Sequence, residues 1–329
     1  MKTAESVSPM HPDKICDRIS DAVLDACLAQ DKNTRAAIEV MGGHGIITVT
    51  GELSTEAYVD IRKIAQRVAG DQYGVQVNVV RQSPEIANGV DKGGAGDQGI
   101  MTGYATSATP EMLPLEVVLA RKLNQELYKN FGTDGKTQIT IDDEGKIVAV
   151  VASFQKARKT LLEEVTQDWL RHQEVSEDLR LHINPAGDWS IGGFEADTGL
   201  TGRKLAVDNY GPSIPLGGGC FSGKDASKVD RSAAYMARRI AVDILRKEKA
   251  AEVFVRLSYA IGYRDPIEAT AVVWRNVGRP DGKLEPETYE VQGYDLTPAG
   301  IIKFLDLKKP QFEKTAEYGH FGHDFAWEK

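Results

Sequence analysis

Ala36-Ala37-Ile38-Glu39-Val40-Met41-Gly42-Gly43-His44-Gly45-Ile46-Ile47-Thr48-Val49-Thr50 is the stretch that decides the architecture. Two β-branched runs, Ala36 to Met41 and Ile46 to Thr50, flank a glycine-rich turn, the mark of a hairpin. A hairpin needs no crossover and leaves one sheet face to be covered, so helices are expected on either side of it in sequence. Upstream, Ile15, Ile19, Val23 and Cys27 recur every four residues between Pro12 and Gln30, on one helical face. Pro12 suits the first turn, where its missing N–H has no consequence. Downstream, Ala57, Ile61, Ile64 and Val68 mark a second amphipathic helix, and Val75 to Val80 alternates like a strand.

The same order returns twice. A helix from about Leu115 to Phe131 precedes strands Gln138 to Ile141 and Ile147 to Phe154, then a helix Thr160 to His172 and a strand near Leu179 to Ile183. A helix from about Asp230 to Arg246 precedes strands Val253 to Ile261 and Ala269 to Trp274, then a helix near Thr297 to Leu307. The expected fold class is α+β: three α-β-β-α lobes, each an antiparallel or mixed sheet with helices on one face. The lobes are read as N-terminal 1–90, central 94–192 and C-terminal 193–329, exchanging short segments. Gly/Pro-rich connectors run from Gly89 to Gly103 and from Gly192 to Gly223.

Composition narrows the function. At 329 residues, 41% hydrophobic and 27% charged, the chain has ordinary globular composition, and two or three domains are expected. No apolar leader opens it and no stretch is long enough to span a bilayer, so an unexported cytoplasmic protein is expected. Three cysteines (Cys16, Cys27, Cys220) without ligand spacing support neither a disulfide framework nor a zinc knuckle. A net charge of -8 argues against a general nucleic-acid or anionic-membrane binder. Yet Thr201 to Ile240 holds seven basic residues against three acidic ones, in a glycine-rich tract. That local excess points to a compact anionic ligand, against the plainer reading of a solvated face.

Four constellations can carry chemistry. His11-Pro12-Asp13-Lys14 stands at the mouth of the first helix, where free N–H groups and the dipole favour an anion; the structural alternative is that Asp13 simply caps that helix. Gly217-Gly218-Gly219-Cys220-Phe221-Ser222-Gly223-Lys224-Asp225-Ala226-Ser227-Lys228-Val229-Asp230-Arg231 superficially contains a phosphate-loop motif. Asp225 follows the lysine where Ser or Thr is required, and proline breaks the segment Tyr210 to Leu216 that would be its strand, so that motif is rejected. Bare backbone, two lysines and the Asp230 carboxylate remain, suited to phosphate oxygens and a hard cation, or to an ordinary solvated loop. Gly192-Gly193, Asp197 and Gly199-Leu200-Thr201-Gly202-Arg203-Lys204 again set glycine beside cations. Gly93-Gly94-Ala95-Gly96-Asp97-Gln98-Gly99 offers an acid for an ammonium group. Either of these last two, alone, is also readable as a turn.

Together these strings resemble the methionine adenosyltransferase (S-adenosylmethionine synthetase) family, in the family's order over nearly the whole chain. They are Glu5-Ser6-Val7-Ser8, His11 to Lys14, Gly94 to Gly99, Gly199 to Lys204, Phe221 to Ser232, Tyr259-Ala260-Ile261-Gly262 and Tyr318-Gly319-His320-Phe321-Gly322. The resemblance implies synthesis of S-adenosylmethionine from ATP, methionine and water with release of phosphate and diphosphate. It also implies pseudo-threefold lobes and a homodimer with shared sites, or a dimer of such dimers.

By position, the resemblance makes Asp13 and Asp230 the Mg2+ acids, two ions per site, and Glu39 the K+ acid. His11, Lys136, Arg203, Lys204 and Lys224 become triphosphate contacts. ATP is also met by Asp134, Asp188, Trp189, Asp197 and Cys220, with Trp189 against adenine. Glu52, Gln82, Asp97, Asp197, Lys228 and Ile261 hold methionine. The catalytic group is His11, Lys136, Arg203, Lys224 and Lys228.

A thioether needs no base, so the task of such a site is to stabilise the departing triphosphate, with His11 donating to the bridging oxygen. Three departures stand out: Met10 replaces a usual glycine, Phe154 and Lys156 replace a polar residue and a histidine, and the segment between Ile86 and Gly96 is shorter than the family's lid loop. Two other readings remain at this point. A non-catalytic ATP- or S-adenosylmethionine-binding regulatory homologue suits the short loop, and an ATP-dependent phosphotransferase or tripolyphosphatase would not need Glu52, Gln82 and Asp97.

Overall fold

The computed structural model describes residues 1–81, 93–275 and 286–329. Gln82 and the expected short lid through Lys92 therefore lie outside the described residues. In chain order the first part runs β1 (Lys2–Val7), α1 (Pro12–Leu28), β2 (Arg35–Gly43), β3 (Ile46–Ser54), α2 (Ile61–Ala69) and β4 (Gly74–Val80). Then come β5 (Gly99–Thr106), α3 (Leu115–Phe131), β6 (Gly135–Ile141), β7 (Ile147–Phe154), α4 (Lys159–Leu170) and β8 (Val175–Ile183). The last part holds β9 (Gly199–Leu200), α5 (Leu205–Asp208), α6 (Val229–Glu248), β10 (Ala250–Tyr259), β11 (Glu268–Arg275), β12 (Pro286–Glu290) and α7 (Pro298–Phe304).

Three four-stranded sheets share one plan: β9-β2-β3-β4, β1-β6-β7-β8 and β5-β10-β11-β12. In each, a helix (α1, α3, α6) leads into a central hairpin, and the hairpin's first strand pairs antiparallel with a strand from elsewhere in the chain. In two sheets a crossover helix, α2 or α4, returns the chain to a parallel fourth strand. The third departs from this, because β12 runs antiparallel to β11 and α7 follows it. The sheets are thus mixed as well as antiparallel, which the hairpin argument alone did not distinguish.

Four strands were not legible by periodicity. β1 and β9 are short borrowed edges, β12 lies beyond the third hairpin, and β5 begins inside what reads as a glycine-rich connector. β5 carries Gly103 because α6 lies directly on it: a Cβ there would sit 2.1 Å from the Ala237 carbonyl carbon. Two boundaries also move. Helix α2 begins at Ile61, leaving Ala57 outside it, because the Asp60 side chain accepts the Lys63 N–H at 3.2 Å and starts the helix there. Strand β10 stops at Tyr259, so Ile261 lies in the loop beyond it.

The apolar interior divides in two. One cluster packs α1 and α6 between two of the sheets, with Ile19, Leu24, Val49, Met236 and Val253 fully buried. The other belongs to α3, α4 and the β1-β6-β7-β8 sheet, with Leu123, Leu127, Ile139 and Phe154. Each such side chain stabilises the fold by about 1.5–3 kcal/mol relative to exposure. Helix α1 is unusual in burying both faces. Opposite its apolar stripe, Asp13, Asp17 and Asp21 are each at most 1% exposed, and Asp25 continues the series one turn on. Their four-residue spacing puts one carboxylate on each turn of a single stripe.

Candidate active site

The first half of the site forms at the N-terminus of α1. The cap is His11, not Asp13: the His11 Nδ1 accepts the Asp13 N–H at 3.2 Å. That bond leaves Nε2 to carry the ring proton. Burial, then the fields of Lys204 and Lys136, hold the imidazole pKa down to about 3, with Asp13 pulling the other way. His11 is therefore a neutral donor. Freed from capping, the Asp13 carboxylate accepts the Leu200 N–H at 2.9 Å and the Lys204 ammonium at 2.6 Å. Burial alone would raise its pKa, but these two bonds outweigh that and keep it below the usual range.

Around this pair stand the other residues expected here. Arg203 Nε lies 3.8 Å from Asp13, and its Nη1 bonds the Thr198 carbonyl. Lys136 projects from β6 toward solvent, close enough to act on His11. Asp134 is nearly buried and accepts the Gly193 N–H at 3.0 Å, and burial raises its pKa against that bond. Asp197 is exposed and accepts the Thr198 N–H. Trp189 is held beside Gly192, its carbonyl accepting the Lys156 N–H. Asp188 is engaged structurally, taking the Lys159 N–H at the start of α4 at 2.9 Å and the Asn184 amide at 3.2 Å.

The second half repeats this construction at the N-terminus of α6. Asp230 in the first turn accepts the Gly219 N–H at 3.0 Å and the Lys224 ammonium at 2.6 Å. Glycine is required nearby, since a Cβ on Gly218 would stand 2.3 Å from an Asp230 oxygen. Asp97 closes on the same group, 4.0 Å from Lys224. Burial raises the Asp97 pKa, and the neighbouring Asp230 carboxyl adds to that. Lys228 is buried against Asp225 at 2.8 Å.

Glu39, on the outer face of β2, faces the Lys224 charge and the Thr201 hydroxyl; partial burial raises its pKa against both. Glu52 is paired across the hairpin with Ala37, which bridges Lys224. Ile261 is exposed beside the Asp97 loop, which is tied to it by Ala95 and Gly262. Cys220 lies between the halves, its Sγ bonding the Ser222 carbonyl.

Strand β2 fixes how far apart the halves are. Leu200 pairs with Met41, and Lys224 bridges Ala37, four residues along the same strand. Four residues of strand span about 13 Å. The sequence-expected residues therefore assemble as two groups, not one, within a single chain. What sequence reading missed are the backbone donors of Leu200 and Gly219 and the buried anchors Asp17 and Asp21. The four-residue recurrence of aspartate in α1 was the available signal for the latter.

Comparison with known proteins shows the family. Sequence profiles of S-adenosylmethionine synthetase match in three consecutive parts: the N-terminal domain over residues 1–83, the central domain over 92–189 and the C-terminal domain over 191–329. The chain is 43% identical to the S-adenosylmethionine synthase of Treponema denticola over 371 residues, covering 99% of this chain and 95% of that one. It is 40% identical to the one from Pseudothermotoga lettingae, with coverage of 99% and 95%, and 41% identical to the one from Helicobacter hepaticus, with the same coverage. An alignment of 371 residues against a chain of 329 means that the relative carries residues within the aligned span that this chain lacks. The chain belongs to the S-adenosylmethionine synthetase family.

Proposed function

We infer that the chain makes S-adenosyl-L-methionine from ATP, L-methionine and water, releasing phosphate and diphosphate. The observation that carries this reading is the matched pair of helix N-termini, each presenting a buried carboxylate held by one lysine at 2.6 Å and one backbone N–H. Such a construction suits a polyphosphate with its cations.

Asp13 and Asp230 would hold Mg2+, two ions per site, and Glu39 would hold K+. Mg2+ takes one or two carboxylates together with substrate phosphates rather than an all-protein cage. When bound, Mg2+ supplies neutralisation of charge on the departing polyphosphate.

The chain's own groups do the remainder. Lys204 and Lys224, exchanged off their carboxylates, bind phosphate oxygens together with Lys136 and Arg203. The His11 Nε2–H donates to the bridging oxygen as the C5′–O bond breaks, and its depressed pKa keeps it a neutral donor rather than a fixed cation. Glu52, Gln82, Asp97 and Lys228 orient methionine so that its sulfur attacks C5′ in line, an alignment worth up to about 7–11 kcal/mol. Trp189 packs on adenine, while Asp134, Asp188, Asp197 and Cys220 border the nucleotide and Ile261 the methionine side chain.

A homodimer with shared sites, alone or as a dimer of dimers, is the reading that the spacing of the two groups along β2 supports. Exposed Met41, Leu200, Ile100, Leu216 and Ile261 support a covered face there. No helix among the described residues is long and apolar enough to cross a membrane. Free thiols at Cys16, Cys27 and Cys220 suit the cytoplasm.

The test is to incubate the protein with ATP, methionine, Mg2+ and K+ and to quantify S-adenosylmethionine, phosphate and diphosphate. All three products are expected. Phosphate released independently of methionine, or nucleotide bound without turnover, would overturn the assignment.

A further inference from the structure

Resting on that reading, we propose that the Asp21–Arg231 ion pair is the positioning device for Lys224 in the second half of the site. Neither residue reaches the site itself. Both side chains are fully buried, and the Arg231 fork grips Asp21 at 2.6 and 2.8 Å. The pair then holds the Lys224 segment from two sides. Asp21 Oδ1 accepts the Gly223 N–H at 2.8 Å, and Arg231 Nη1 donates to the Lys224 carbonyl at 3.1 Å. Arg231 also follows Asp230 directly in α6, so the fork sets the lysine segment against a carboxylate that the helix itself carries. Thr315 braces the fork by accepting from Arg231 Nη2 at 3.1 Å.

Helix α1 thereby acts as a ruler. Asp13 holds Leu200, Asp17 holds the Gly202 N–H at 2.9 Å, and Asp21 holds Gly223. The two cation-bearing loops are indexed to successive turns of one helix, and Asp13 and Asp21 lie about 12 Å apart along its axis. An apolar pair of equal volume would fill the space, but would leave the Gly223 N–H and the Lys224 carbonyl without these partners.

A double-mutant cycle tests this, read as the calorimetric affinity of full-length protein for magnesium tripolyphosphate. The proteins are wild type, Asp21→Asn, Lys224→Ala and the double variant. Asn retains an oxygen for Gly223 but loses the charge that fixes the fork. Asp21→Asn is expected to weaken binding about tenfold when Lys224 is present and by less than about twofold when it is absent. Equal weakening in both backgrounds overturns the proposal, since a merely structural role lowers melting temperature and affinity without regard to Lys224. If circular dichroism shows Asp21→Asn unfolded, Thr315→Val replaces it in the cycle. That variant should weaken binding about threefold, again only with Lys224 present, and unchanged affinity overturns the proposal. Wild-type protein that does not bind magnesium tripolyphosphate sinks the reading of the site and the positioning role with it, whereas additive losses sink only the latter.

Discussion

Lys224 and Asp230 neutralise each other at 2.6 Å, as do Lys204 and Asp13. Removing one member leaves a buried charge without its partner. Lys224→Ala and Asp13→Asn should each lower S-adenosylmethionine synthesis by at least about 10²-fold, with circular dichroism unchanged. Near-normal rates in either variant would remove that residue from the machinery. His320 offers a test of stability. Burial, then the Arg231 charge, pushes its pKa well below 6.5, and its Nδ1 lies 2.9 Å from the Tyr235 hydroxyl. The folded chain therefore keeps this imidazole neutral at pH values where the unfolded chain protonates it. Its stabilising effect is complete above 6.5 and is lost as pH falls below that value. The slope is up to about 1.4 kcal/mol per pH unit for one histidine. Urea unfolding between about pH 7.5 and 5.5 should show a shallower decline for His320→Asn than for wild type, and equal slopes would refute this account.

At the scale of elements, β5 against α6 is the contact that most limits substitution. Gly103→Ala would drive a methyl into the α6 backbone at Ala237, where no side chain can move aside. Destabilisation of about 3 kcal/mol or more is expected by thermal melting. Gly74→Ala on β4 meets only the Gly45 carbonyl at 3.6 Å and should be near neutral; similar losses in both would show that close approach is not the cause. The same strand marks the limit of legibility. The three hairpins and their leading helices were readable because each carries its own period, as Ile15, Ile19 and Val23 do in α1. β1, β5 and β9 were not, because what makes them strands is a partner more than 100 residues away in sequence, as Lys2 opposite Ile141 illustrates. Within the site, side chains such as Lys224 and Asp230 were legible from charge beside glycine. The donors that orient them, Leu200 and Gly219, act through backbone N–H groups and leave no mark on residue identity.

The whole molecule carries two carboxylate–lysine groups for one reaction. Each chain carries Asp13 with Lys204 at one end of the α1 ruler and Asp230 with Lys224 at the other. In a two-fold assembly the first half of one chain can face the second half of its partner, which yields two equal sites. This arrangement makes an unusual genetic prediction. If sites are shared in that way, the Asp13→Asn and Asp230→Asn proteins should each lack function, since every site would contain one defective half. A mixed dimer holds one site with both defects and one site with neither. Co-expressed in equal amounts and assorting at random, the two inactive variants should recover about one quarter of wild-type activity per chain. Purification on two different affinity tags would enrich the mixed dimer and raise this to about one half. If instead each chain built its site from its own two halves, every chain in the mixture would carry one lesion and no activity would return. The complementation assay thus reads the assembly directly from turnover, and its outcome turns on the distance that α1 and β2 set between two carboxylates.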